Sequence, residues 1–129
     1  MANLPTEQLL AGTVNGNRIL TGSNRNETLL TLSFDNSSFE FIPNNITTQA
    51  DVTNYLHSEA SYFPQGVINL IEYFYPPPDS SGDLTYSNEL TRVAAISGES
   101  MLNCPSYWLV QAFPENTSFH YEWDSTCQG

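Results

Sequence analysis

Only two stretches of this chain read as strands fit for the middle of a sheet, and most of the chain separates them. Arg18-Ile19-Leu20-Thr21-Gly22 is short and apolar at its centre, and Gly22-Ser23-Asn24 reads as the small-residue loop that follows a buried strand. Ser118-Phe119-His120-Tyr121-Glu122-Trp123-Asp124 alternates aromatic with polar residues, which is period two with one strongly apolar side. The segments between them are mostly helical in pattern. Strand, several helices, strand is a crossover that joins two parallel strands of one sheet, so the expected class is α/β. A parallel pair must be covered on both faces and flanked by further strands. The chain therefore reads as one partial domain over residues 1–129, with no second domain, belonging to a sheet whose other strands lie elsewhere.

The helices are bounded by familiar signals. Pro5 opens a brief helix over Thr6-Glu7-Gln8-Leu9-Leu10, closed by Gly12 and followed by a turn at Asn15-Gly16-Asn17. A second extended stretch is expected around Leu29 to Phe34. Thr47-Thr48-Gln49-Ala50-Asp51 fits a helix N-terminus, and that helix should run to about Ala60. Beyond Pro64, Val67, Leu70, Ile71 and Phe74 recur at i, i+3, i+4 and i+7, which predicts a helix with that face in the core and Pro76-Pro77-Pro78 as its stop. Leu90, Val93, Ala94 and Ser97 continue a helical period from about Tyr86, and a further helix is expected from about Pro105 to Ala112.

Composition excludes whole classes of partner. Fourteen Asp and Glu face three Lys and Arg, and a formal charge of −11 repels a phosphate backbone, so nucleic acid is not the partner. No apolar run approaches the roughly 18–20 residues needed to cross a bilayer, so no membrane span is expected. With 12% aromatic and only 13% charged residues, the chain has enough to bury and reads as globular. Two cysteines, Cys104 and Cys127, are too few for a disulfide scaffold and lack zinc-site spacing. They form a single bridge, or they are unlinked thiols with Cys104 buried as an apolar residue.

Sequons begin at Asn26, Asn36, Asn45 and Asn116. Chance alone gives roughly two or three in a chain with 13 Asn and 26 Ser or Thr, so they favour an oxidising compartment only mildly. The first residues, Met1-Ala-Asn-Leu-Pro-Thr-Glu, have neither a basic nor an apolar signal region.

The strongest chemical candidate is Glu27 in Gly22-Ser23-Asn24-Arg25-Asn26-Glu27, a carboxylate at the carboxyl end of a strand, where ligand crevices of α/β sheets form. The run Arg18 to Glu27 resembles the G-[ST]-N-x-[ND]-E-G segment of the type B carboxylesterase/lipase family, which includes cholinesterases and fungal secreted lipases. Later segments agree in order. Phe39 to Phe41 and the helix ending at Phe63-Pro64, then Ile71-Glu72-Tyr73-Phe74-Tyr75-Pro76, resemble that family's stretch of a helix, an "FP" and a second helix closing in "YP". Leu102-Asn103-Cys104-Pro105 is similar to its "F-x-C-P" helix start, and Phe119 to Trp123 to its "Y-x-Y-x-F" strand. The similarity spans essentially the whole chain.

The resemblance implies a partial α/β-hydrolase fold and a Ser, Glu or Asp, His triad in that chain order, with Glu27 as the acid that orients the histidine and stabilises imidazolium. The family's glycine after the acid is Thr28 here, which adds a Cβ in a tight loop and creates the Asn26 sequon. A glycan beside a buried acid is hard to accommodate, so Asn26 is expected to be unused, leaving Asn36, Asn45 and Asn116 as acceptors. The resemblance also implies that Cys104 is disulfide-bonded. Cys127 is one candidate partner, closing a loop of about 22 residues worth about 3 kcal/mol, and a cysteine further along, as is common in the family, is the other.

The other candidates do not complete a triad. Gly98-Glu99-Ser100-Met101-Leu102 lacks the last glycine of a nucleophile elbow and follows a helix, so Ser100 reads as a helix cap. His57 lies mid-helix and His120 within the last strand, while the family's histidine follows that strand in a loop. By resemblance, then, the chain is a fragment of an extracellular serine esterase that acts on a small-molecule ester without metal or cofactor. It carries only the acid and is expected to be inactive alone. The alternative is a non-catalytic interaction protein that pairs through exposed strand edges.

Overall fold

In a computed structural model, residues 4–25, 28, 42–43, 45–80, 82 and 84–124 are described. Mixed helices and two parallel strands in one sheet make the chain α/β. It divides into two compact units, residues 1–27 with 99–129 and residues 28–98.

The first unit contains helix α1 (Pro5–Leu10), strand β1 (Ile19–Asn24), helix α5 (Cys104–Gln111) and strand β2 (Ser118–Trp123). Pro5 sits in the first turn of α1, the Glu7 carboxylate accepts the Leu4 N–H at 3.3 Å, and Gly12 at φ 63° ends the helix. The strands pair in parallel, from Ile19 opposite Ser118 to Asn24 opposite Trp123. Gly22, Ser23 and Asn24 are thus strand residues and not the expected loop, since Arg25 N–H still donates to Trp123 C=O at 3.0 Å. A glycine is required at 22: a Cβ there would come within 2.6 Å of the Tyr121 ring and its backbone.

One face of this sheet carries Ser23, buried, together with His120, which contacts α5; on the other, Leu20, Phe119, Tyr121 and Trp123 are exposed. The strongly apolar side of β2 therefore faces outward. α5 is preceded by a π-helical turn, Glu99–Asn103. Pro105 has no N–H for a normal helical bond to Met101 and its ring would crowd that carbonyl, which a widened turn relieves.

Among its described residues the second unit contains helices α2 (Gln49–Glu59), α3 (Gln65–Phe74) and α4 (Glu89–Gly98), packed as a cluster. The α2 N-terminus is a capping box: Asp51 Oδ2 accepts Thr48 N–H at 2.8 Å, and Thr48 Oγ1 accepts Asp51 N–H at 3.3 Å. The Thr48 hydroxyl also donates to Asp51 Oδ2 at 2.8 Å, and this bond foremost, with the Thr47 and Thr48 amides, holds the Asp51 carboxyl below its ordinary range. Ile42, Ile46, Val52, Tyr55, Leu56, Ile68, Val93, Ala94 and Ile96 form the core. The α3 face is the expected one only in part. Ile68 is fully buried and Val67 and Ile71 are half-buried, while Leu70 and Phe74 are exposed, so the buried side is turned from the expected face toward Ile68.

Arg92, fully buried on α4, ties the cluster together. Its Nε donates to Tyr75 C=O at 2.7 Å, and one terminal nitrogen donates to Gln49 Oε1 at 2.6 Å and to Glu89 Oε2 at 2.8 Å. α4 begins at Glu89 rather than near Tyr86, with Asn88 Oδ1 accepting Thr91 N–H at 2.9 Å, and Tyr86 instead donates its hydroxyl to Pro76 C=O at 2.7 Å. Tyr55 and Ser97 hydroxyls meet at 3.1 Å, and burial pushes the Tyr55 phenol up.

Candidate functional site

The parallel ladder brings the carboxyl ends of β1 and β2 side by side, the edge at which α/β sheets bind ligands. An ion pair bridges this edge, Arg25 to Asp124 at 2.7 Å, with both side chains more than half exposed. The hydrogen bond and charge of Asp124 raise the Arg25 guanidinium pKa still further. Glu27, the sequence-derived acid, and its neighbour Asn26 lie outside the described residues, two and one positions beyond that pair.

Thr28 is buried, and its hydroxyl donates to the Ala94 carbonyl of α4. Its hydroxyl lies 3.0 Å from where a Cβ on Gly98 would sit, so Gly98 is the partner that leaves it room. A threonine here thus acquires a hydrogen bond and packing that glycine could not supply.

The remaining candidates are scattered. Cys104 is an exposed free thiol at the start of α5, not a buried apolar residue, and Cys127 lies outside the described residues. Asn45 and Asn116 are exposed, Asn116 in a left-handed turn at φ 65°, and Asn36 lies outside the described residues, as does the extended stretch expected at Leu29 to Phe34. Ser100 sits inside the π-helical turn, where no helix begins, so it is not the expected cap. His57 on α2 bonds Gln65 Oε1 at 3.0 Å.

Sequence reading missed one constellation. His120 Nε2 lies 2.8 Å from Ser106 Oγ, and its ring stacks on Tyr107 with centroids 4.1 Å apart. No motif signals it, since the two residues meet only when β2 packs on α5. A serine beside a histidine could be an activated nucleophile. Here, however, Ser106 Oγ also donates to Asn103 C=O at 2.9 Å. A hydroxyl has one proton, so satisfying both contacts makes Nε2–H the donor and the imidazole no base toward Ser106. The contact fastens β2 to α5.

Among the described residues, no group of three or more His, Cys, Asp or Glu is placed to hold a metal ion. None of their helices is long and apolar enough to cross a membrane. Comparisons with protein-family models, curated proteins and solved structures return no match.

Proposed function

We propose that this chain is the acid-bearing portion of a type B carboxylesterase/lipase-family hydrolase, an incomplete α/β-hydrolase fold with Glu27 as the triad acid. One observation carries the reading: the strand that leads into Glu27 pairs in parallel with the last strand across several helices. That is the arrangement a strand-end acid needs, because the loop after a parallel strand faces the crevice in which the serine and histidine of a complete enzyme stand. The parent reaction is hydrolysis of a small-molecule ester through an acyl-serine, with water as the second acceptor and no cofactor. The parent protein is extracellular, and Asn36, Asn45 and Asn116 are its glycan acceptors. Without the serine, histidine and oxyanion donors acting together, the orienting carboxylate has nothing to orient, so this chain alone does not turn over esters.

A fluorophosphonate serine probe and a nitrophenyl ester test this directly. Neither labelling nor turnover is expected, and stoichiometric labelling of any serine, Ser100 and Ser106 included, overturns it. Sequencing the flanking transcript tests the parentage: a G-E-S-A-G segment upstream and an H-G segment downstream are expected, and absence of both overturns that part.

A second reading, an interaction protein, is favoured by the sheet, in which, among the described residues, each strand has one edge with no paired neighbour. It predicts a partner that adds a strand by main-chain hydrogen bonds.

A further inference from the structure

Of the 13 asparagines in the chain, Asn15 alone precedes a glycine. Asn15 and Gly16 are both exposed, in the turn between α1 and β1. The ends of this turn are tied down, Thr13 N–H donating to Gln8 C=O at 2.9 Å and Ile19 N–H to Thr117 C=O at 3.0 Å. Between them, among the described residues, neither the Asn15 carboxamide nor the Gly16 N–H makes a hydrogen bond. Gly16 stands at φ 124°, a conformation that side-chain-bearing residues adopt only with strain, so the turn itself calls for the glycine. Asparagines elsewhere are held. Asn24 precedes Arg25, whose N–H is bound to Trp123 C=O at 3.0 Å, and Asn116 precedes Thr117, whose N–H is bound to Pro114 C=O at 3.1 Å. Asn54 and Asn69 lie inside α2 and α3, and Asn88 Oδ1 is occupied by the Thr91 N–H. Asn17 shares the exposed turn but precedes Arg18, whose side chain crowds the amide that would have to react.

We propose that Asn15 is a site of spontaneous deamidation in the folded chain. The Gly16 nitrogen gives its proton to solvent base and attacks Asn15 Cγ. The new N–Cγ bond forms as the Cγ–Nδ2 bond breaks, and Nδ2 leaves as ammonia with a proton from water. Water then opens the resulting succinimide at one of its two carbonyls and returns a proton to the Gly16 nitrogen. Opening at Cγ leaves aspartate, whereas opening at the main-chain carbonyl leaves isoaspartate, in which the chain runs through Cβ and Cγ and gains one carbon. Three features of the turn meet in this step. Exposure admits the base, the lack of a hydrogen bond leaves the Gly16 nitrogen available, and the lack of a Cβ on Gly16 leaves room for the ring to close. Either product adds one carboxylate just ahead of β1, in a chain already at −11. The anchoring bonds of Thr13 and Ile19 lie on either side of the altered residue, so the turn absorbs the extra carbon and the strand pair persists.

Prolonged incubation of the 129-residue chain in mildly alkaline buffer, followed by peptide mass mapping, tests this. Asn15 is expected to convert first, while Asn17 keeps its amide over the same interval. The rate in the native chain should fall within about threefold of the rate in guanidinium chloride, because no local opening has to precede the reaction. Isoaspartate at position 15 is read by an isoaspartyl methyltransferase, which places a methyl group from S-adenosylmethionine on the freed α-carboxylate. Asn15→Gln should abolish the early acidic shift on isoelectric focusing, since its longer side chain has to close a larger ring. The far-UV circular dichroism spectrum of the converted chain should match that of the fresh one. A native rate slower than that threefold margin overturns the inference by showing that the fold shields the pair. So does conversion of any other asparagine ahead of Asn15, or an early acidic shift that persists in Asn15→Gln. None of these outcomes bears on the esterase reading, which does not depend on this turn.

Discussion

The two units solve the problem of burial differently. The helical cluster has a core of its own, from Ile42 to Ile96, and satisfies most of its buried guanidinium within itself. The sheet unit buries Ser23 but leaves Leu20, Phe119, Tyr121 and Trp123 in solvent. Helices close their backbone hydrogen bonds locally and need neighbours only for side chains, whereas a parallel strand needs neighbours for both. Among the described residues the first kind of structure is therefore closed around its own core, while the second leaves one face in solvent.

The largest expected effect lies in the cluster. Arg92→Ala leaves Glu89, Gln49 Oε1 and Tyr75 C=O without their shared donor, and should destabilise residues 28–98 by about 3–5 kcal/mol. Urea unfolding followed by circular dichroism reads this, and a loss below about 1 kcal/mol would break the comparison by showing that the cluster does not depend on its buried cation.

Next comes the sheet. Gly22→Ala drives a methyl group into Tyr121 and its carbonyl, a cost of about 1–3 kcal/mol confined to the strand pair. Hydrogen exchange should accelerate at the β1 and β2 amides while protection in α2 to α4 holds, and equal acceleration in both would mean that the units unfold as one.

The smallest effect sharpens the comparison through pH. Thr48→Ala removes the α2 cap at a cost of about 1 kcal/mol. The Asp51 pKa is lowered in the folded state, so its stabilisation is complete above the unfolded value of about 3.9 and is lost as pH falls through the lower folded value. Because Thr48 is the main cause of that lowering, the variant's Asp51 should titrate closer to its ordinary value, as a carboxyl NMR titration can follow. An unmoved Asp51 would leave the credit with the Thr47 and Thr48 amides and the Thr47 hydroxyl.

Element boundaries were largely legible in the sequence because local chemistry sets them. Pro5 and Gly12 frame α1, Thr48 and Asp51 open α2, and Pro76 follows α3. The pairing of the two strands was legible from their order along the chain. What was not legible depends on partners distant in sequence. Periodicity on α3 could not tell Ile68 from Leu70 because both are apolar, and the core decides which turns inward. The β1 strand runs on through Asn24 because Trp123 supplies an acceptor beyond it, which no local signal announces. The Ser106–His120 contact is likewise invisible until β2 docks on α5.

Arg92 has one more effect, felt outside the core it occupies. Residues 28–98 hold eight carboxylates and this single strong base, and the base faces inward with no exposed area. The exterior of that unit consequently has no fixed cation to offset its acids, and it behaves as a small polyanion whose own field strains it at low ionic strength. Counter-ions, instead of weakening such a body by breaking surface pairs, make it tougher.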